Sequence, residues 1–268
     1  MGCEMLLDIA ARRADFHALH TEGYFLLPTA WDNGGATRLE TLGYAGIATT
    51  LASQAWTLGR DPRDLTRDEV LDHMRRLVDA TEIAVNADYG FGFASDLGEL
   101  ADNVRMAIDT GVAALSISDR IGDDLISLPD DAARIRASRQ TIDASGADVV
   151  LVARTGIMLH GGTSLAAAIQ RLVALSNAGA DVLCLPGLAD LDAIKAVVLA
   201  VAPKPLDVQL MQPGITTLEL GQLGVRRVSV GDTFAEAAWA SFERVAEEFI
   251  DYGDLAAECV SPQGHALQ

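Results

Sequence analysis

The chain has 268 residues, half of them hydrophobic and 22% charged, a balance that supports a sizeable core and excludes disorder throughout. Its 38 acidic and 20 basic residues give a net charge of −18, a field that repels phosphate backbones and anionic lipid and argues against nucleic acid or a membrane as partner. Three widely spaced cysteines, Cys3, Cys184 and Cys259, provide neither a disulfide framework nor a CxxC metal knuckle.

From the N-terminus, residues 5–21 read as an amphipathic helix broken by charge, without the apolar centre of a signal peptide. No apolar run reaches the roughly 18 to 20 residues of a membrane span, so a cytoplasmic protein is expected. From Tyr24 onward, short apolar runs alternate with longer amphipathic stretches. Strands are predicted at 24–28, 45–50, 83–88, 113–119, 148–155, 181–187, 205–210 and 226–231. These runs are largely continuous rather than alternating, the pattern of parallel strands covered on both faces. Between them lie helices such as 66–82, with a Thr66/Glu69 capping box, and 163–179, closed by Gly179. Eight strand–helix units predict an α/β fold, a (β/α)8 TIM barrel over 24–252 in a single domain spanning 1–268. A glycine-rich phosphate loop after the first strand, which a doubly wound sheet would carry, is absent. The last helix, 233–252, carries Trp239, Phe242 and Phe249, an aromatic set suited to packing on another subunit. A polar tail, 253–268, follows.

In such a barrel the chemistry sits at the C-terminal ends of the strands. There the sequence places Trp31 and Asp32, Thr49 and Thr50, Arg60 and Asp61, Asn86 and Asp88, Ser116, Ser118 and Asp119, and Arg154. Asp32 reads as a helix N-cap. Asp119 is suited to an ion pair with Arg120, and Asp61 before Pro62 to turn chemistry, each weighed evenly against function. Asp88 precedes Tyr-Gly-Phe-Gly, where glycines let backbone approach a ligand, and Arg154 closes an apolar run where a guanidinium needs an anion; function is favoured for both. His17, His20, His73 and His265 read as surface groups, and His160 lies in the loop TGIMLHGGT. The two lysines, Lys195 and Lys204, stand away from strand ends, which argues against Schiff-base chemistry.

The segments PTAWD (28–32), GYAGIATT with LGRDPRD (43–64), NADYGFG (86–92), LSISD (115–119), VARTG (152–156), AGADVLCLPG (178–187) and LGVRRVSVG (223–231) resemble, in order, the isocitrate lyase/phosphoenolpyruvate mutase superfamily. The resemblance implies a barrel whose last helix is exchanged between subunits of a homo-oligomer, a dimer or tetramer. It implies a lyase that makes or breaks a C–C or P–C bond beside a 2-oxo acid carbonyl, with the enolate held by Mg2+. Carried over by position, Arg154, Asp61 and Asp88 are the catalytic residues. Trp31, Thr50, Leu51, Ala52 and Arg154 form the substrate contacts, with backbone amides of 50–52 on the carboxylate. Asp88, Asp61 and Asn86 form the metal set.

The motif departs from the family's pattern at three places. Asn86 stands at the first aspartate of D-x-D-x-G-[FY]-G, Ser118 replaces the glutamate of I-E-D, and Gly156 replaces the aspartate of A-R-T-D. The stretch 120–139 lacks the K-[KR]-C-G-H of isocitrate and methylisocitrate lyases and the Lys and Asn of the phosphonate branch. The pattern stands nearest to small lyase-like members, with phosphonomutase, oxo-acid decarboxylase and hydrolase chemistry as alternatives. Two further readings stay open: a degenerate barrel that keeps its small-carboxylate pocket, and a metal-independent biosynthetic variant.

Overall fold

A computed structural model describes residues 2–159 and 164–253. Residues 160–163, with His160, and the tail from residue 254, with His265, lie outside the described residues.

Eight parallel strands form the barrel: β1 (Phe25–Leu27), β2 (Gly46–Ala48), β3 (Ala84–Asp88), β4 (Ala114–Ser118), β5 (Val150–Arg154), β6 (Val182–Cys184), β7 (Leu206–Gln209) and β8 (Arg227–Ser229). From β2 to β8 each pairs with the next, and β8 pairs with β1. The ring closes between β1 and β2 where the Ala30 amide donates to Ala48 O (2.9 Å) and the Ala48 amide to Pro28 O (2.7 Å). All eight expected strands are present, shortened at their ends.

The helices are α1 (Gly2–Ala18), α2 (Asn33–Thr41), α3 (Leu51–Thr57), α4 (Arg67–Ala80), α5 (Leu97–Ile108), α6 (Leu128–Ser145), α7 (Leu165–Asn177), α8 (Leu191–Val201), α9 (Thr217–Gln222) and α10 (Thr233–Tyr252). Their starts follow the sequence. Asp32 caps α2 by accepting from the Gly35 amide, and the Thr66/Glu69 capping box heads α4. Helix α1 sits three residues N-terminal to the expected 5–21, because the amides of His20 and Thr21 turn back onto His17 and Ala18 carbonyls and end it.

The main core lies between the strands and the surrounding helices, with Leu115, Leu151, Leu172 and Val197 among its buried members. A second cluster plugs the N-terminal end of the barrel. There Phe16 of α1, fully buried, meets Ala84, Ala114, Val150 and Val182 at the starts of four strands. Burying such a ring contributes on the order of 2 kcal/mol. Gly46 makes room for it, since a Cβ there would stand 3.1 Å from the Phe16 ring. His20 stacks edge-on against Phe16 and Phe25 and is buried, as is His73 on the inner face of α4. The expectation that these two histidines lie on the surface is corrected: each falls on a helix or turn face that packs inward.

Helix α10 has one buried residue, Ala235, while Phe242 and Phe249 are exposed and Trp239 sits edge-on to Phe242. Among the described residues no helix is long and apolar enough to cross a membrane.

Candidate active site

Polar side chains enter the barrel two by two. Asn86 and Asp88 on β3, Ser116 and Ser118 on β4, Asp207 and Gln209 on β7, and Arg227 and Ser229 on β8 are separated by two, so each pair faces the same side of its strand. Most of them line a narrow bore, together with Thr49, Thr50, Arg154 and Cys184. A wider mouth opens above it, lined by Leu51, Arg63, Phe91, Arg120, Arg154 and Asp232, among others.

Two ion pairs organise the bore. Arg154 Nη2 donates to Asp88 Oδ1 at 2.9 Å, tying the end of β5 to the end of β3. Asp88 Oδ1 also accepts from the Gly90 amide (3.0 Å), and the Asp88 amide donates to Thr49 Oγ1 (2.9 Å). Burial works against the Arg154 charge, but Asp88 foremost more than offsets it and raises its pKa. Deeper in, Arg227 Nη2 donates to Asp207 Oδ2 (2.8 Å) and Nη1 to Asn86 Oδ1 (3.2 Å), while Asn86 Nδ2 donates to Ser116 Oγ (3.3 Å). Arg227 is 2% exposed, so its charge depends on these partners. Burial, reinforced by the charge of Asp207, pushes the Cys184 thiol well above its ordinary value and leaves it unsuited to act as a thiolate.

The loop after β3 is shaped by its glycines. Gly90 and Gly92 have φ of +53° and +76°, and a Cβ at Gly92 would meet Leu100 Cδ1 at 2.4 Å. The turn they form presents the Gly90 carbonyl to the Ser118 amide (2.6 Å) and sets Phe91 and Phe93 at the mouth.

Asp119 does not pair with Arg120 as expected. It is fully buried and accepts from Arg171 Nε of α7 (2.7 Å), from the Gly156 amide (2.9 Å) and from the Thr155 hydroxyl. Arg171 also reaches Asp131 Oδ2 (3.0 Å) and Ile126 O (2.6 Å), so one buried guanidinium pins the hairpin of Arg120–Ile121 and Asp124–Leu125 and the turn after β5. Burial pushes the Asp131 carboxyl up to about 7; Arg171 opposes that rise and Asp119 adds to it. Arg120 is thereby left to lie over Gly156 and donate to Asp123 O.

Of the residues singled out from sequence, Arg154, Asp88, Asn86 and Thr50 meet in the bore, and Leu51 lines the mouth above them. Asp61 accepts from the Arg63 amide, Nε and Nη2 at 2.8–2.9 Å and caps the turn Pro62–Asp64, with its carboxyl held far below the usual range by Arg63. Trp31 and Ala52 are half-buried. Asp61, Trp31 and Ala52 do not line the bore or the mouth.

Asp232, which sequence reasoning passed over, lies at the mouth and accepts from the Thr50 hydroxyl. Burial raises its pKa; the Thr50 bond opposes that, and the nearby charge of Asp88 adds to it. Its place after β8, a strand's C-terminal end like those of Asp88 and Arg154, was the available signal. Gln209 packs against Gly231 so closely that a Cβ there would fall 1.8 Å from its Nε2.

A family model for phosphoenolpyruvate phosphomutase matches residues 16–250, the whole barrel. The chain belongs to the isocitrate lyase/phosphoenolpyruvate mutase superfamily. Within this superfamily it is 30% identical over 221 residues to an uncharacterized protein, Rv1998c, of Mycobacterium tuberculosis, covering 81% of each chain. It is 29% identical over 196 residues to oxaloacetate decarboxylase 2 of Pseudomonas fluorescens, covering 69% of this chain and 65% of that protein. A crystal structure from Burkholderia cenocepacia J2315, provisionally assigned as a lyase/mutase, superposes with a TM-score of 0.90 and 37% identity over 96% of this chain and 94% of the other. The superfamily comprises lyases and mutases acting on oxo acids, and this chain is related to such enzymes.

The superfamily generally uses Mg2+, an ion that takes oxygen ligands in near-octahedral array, commonly one or two carboxylates with several waters. The donors present here do not fit it. Asn86 Oδ1 is occupied by Arg227, Asp88 Oδ1 by Arg154 and Gly90, and Asp61 by Arg63. Among the described residues no group of three His, Cys, Asp or Glu side chains is arranged to hold an ion.

Proposed function

We propose that the barrel binds a small 2-oxo carboxylate at its mouth and breaks or forms the bond to carbon 3 through an enolate, with Arg154 as the anchor. The observation that carries this is the placement of Arg154. Its Nη2 rests on Asp88, yet the side chain keeps 30% of its surface open towards the mouth. Loss of a fragment from carbon 3 leaves an electron pair that flows to the carbonyl oxygen, and a fixed guanidinium there stabilises the developing charge. The Leu51 amide heads α3 without an intrahelical partner and suits the substrate carboxylate. Among the described residues that line the mouth there is no His, Lys or Cys, and Asp232 is the side chain there placed to exchange a proton.

The oxaloacetate decarboxylase relative supports oxaloacetate as the first substrate to try. In that reaction the C3–C4 bond breaks, carbon dioxide leaves, the Asp232 carboxyl gives its proton to carbon 3, and water restores it. Purified protein is expected to accelerate oxaloacetate decarboxylation, and Arg154→Ala and Asp232→Asn to lose that acceleration. A protein that neither turns over nor binds any member of a panel of oxo acids and phosphonates defeats the reading.

Asn86, Ser118 and Gly156 favour a second reading, a barrel that keeps its pocket without catalysis. Activity appearing only in the Asn86→Asp/Ser118→Glu variant would support it. For the exposed aromatic face of α10 we propose a second copy of the chain as cover, which light-scattering mass tests directly.

A further inference from the structure

We infer that two guanidiniums, Arg154 and Arg227, take the place of a divalent cation in this barrel, so that it binds an enolate-like anion without metal. The inference rests on the carboxylate-binding reading above and adds the electrostatics of the site.

Three observations carry it. First, the oxygens at the expected metal positions already face cations. Asp88 Oδ1 holds Arg154 Nη2 at 2.9 Å, and Asn86 Oδ1 holds Arg227 Nη1 at 3.2 Å. A dication bound by those oxygens would displace two ion-paired guanidiniums or sit against them as a like charge in a poorly screened bore. Second, Arg227 is compensated from below. Asp207 takes its Nη2 at 2.8 Å, and both residues are almost fully buried. The pair is a permanent, neutral fixture of the bore, and Arg227 turns its other terminal nitrogen towards Asn86.

Third, the substitutions balance. Of the three carboxylates the motif lacks relative to the pattern it resembles, at Asn86, Ser118 and Gly156, the first two belong to the expected metal shell. Removing two negative charges together with one dication leaves the net charge of the site unchanged. An aspartate at 86 would add a charge to a layer where Asp207 already neutralises Arg227. The asparagine instead passes the dipole of Arg227 on to Ser116 through its own amide. The guanidinium that remains open to a ligand is that of Arg154, while Arg227, paired with Asp207, acts on the bore through the dipole it passes to Asn86.

The experiment uses oxalate, a planar dianion shaped like the enolate of pyruvate, titrated calorimetrically into the full chain in EDTA and in excess Mg2+. Affinities agreeing within about twofold support the inference. Binding that vanishes in EDTA and returns with Mg2+ overturns it while leaving the carboxylate-binding reading intact. No binding in either condition overturns both. In the Asn86→Asp/Ser118→Glu variant, Mg2+ is expected to strengthen oxalate binding about tenfold or more. The charge-neutral double variant Arg227→Gln/Asp207→Asn, checked for folding by circular dichroism, is expected to weaken oxalate about tenfold. An unchanged affinity there removes Arg227 from the assignment. The wild-type comparison decides the matter even if neither variant folds.

Discussion

Arg120 lies across Gly156, with its Cδ 2.6 Å from where a Cβ at position 156 would stand. The family's carboxylate at that position would therefore occupy the space this arginine fills. Gly156→Ala is expected to push Arg120 aside at a cost below about 1 kcal/mol, because a flexible side chain can yield. Thermal unfolding should change little, while calorimetric titration of oxalate should show a changed affinity as the mouth rearranges.

Removing the guanidinium that spans β3 and β5 has a larger effect. Arg154→Ala leaves the buried Asp88 without its ionic partner, and a stability loss of about 2 kcal/mol is expected in urea unfolding, moderated by the partial exposure of Arg154. Arg154→Lys keeps the charge but not the fork. It is expected to restore much of the stability and still bind oxalate at least about tenfold more weakly.

The proton-transfer assignment has a signature in the rate profile. Asp232 is raised by burial and by Asp88, so its protonated form persists above the ordinary carboxylate range. Decarboxylation that depends on this proton should decline as pH rises through that raised value. In Asp232→Asn the residual rate is expected to lose this limb, which a purely structural role would leave in place.

Stability should respond to pH in two opposite ways. Burial lowers His20 and His73 to about 4, below the ordinary 6.5, so the unfolded chain binds their protons first. Stability is lost on acidification from about 6.5 to about 4, by at most about 1.4 kcal/mol per pH unit for each group. Asp131, raised to about 7, works the other way: the folded chain binds its proton first, and stability falls as pH rises from about 4 to about 7. Urea unfolding across this range should therefore show a flatter dependence in His20→Phe and a steeper one in Asp131→Asn.

The barrel itself was legible because continuous apolar runs such as VVLVA survive as β5 and because Thr66 and Glu69 announce α4 within four residues. The interior charges were not. Reading V-N-A-D and R-V-S as apolar strands with polar ends averages over a period of two, which places Asn86 beside Asp88, and Arg227 beside Ser229, on the inward face. The Asp119–Arg171 pair joins residues 52 positions apart, and Arg171 looks like one more charge on an amphipathic helix. His73 gave more warning, since Val70, Met74 and Leu77 share its helical face. Asp61 matched a motif, but its neighbour Arg63 lies closer at hand than any ligand from another strand.

The lateness of Arg227 in the chain has a consequence for assembly. Its counterparts, Asp207 and Asn86, belong to the seventh and third strands, and β8 is also the strand that seals the ring against β1. Until the last strand arrives, a carboxylate stands uncompensated in a greasy, unfinished cylinder. Fragments that stop before residue 227 should thus gain little from partial closure, and the ring should assemble in one concerted step rather than strand by strand.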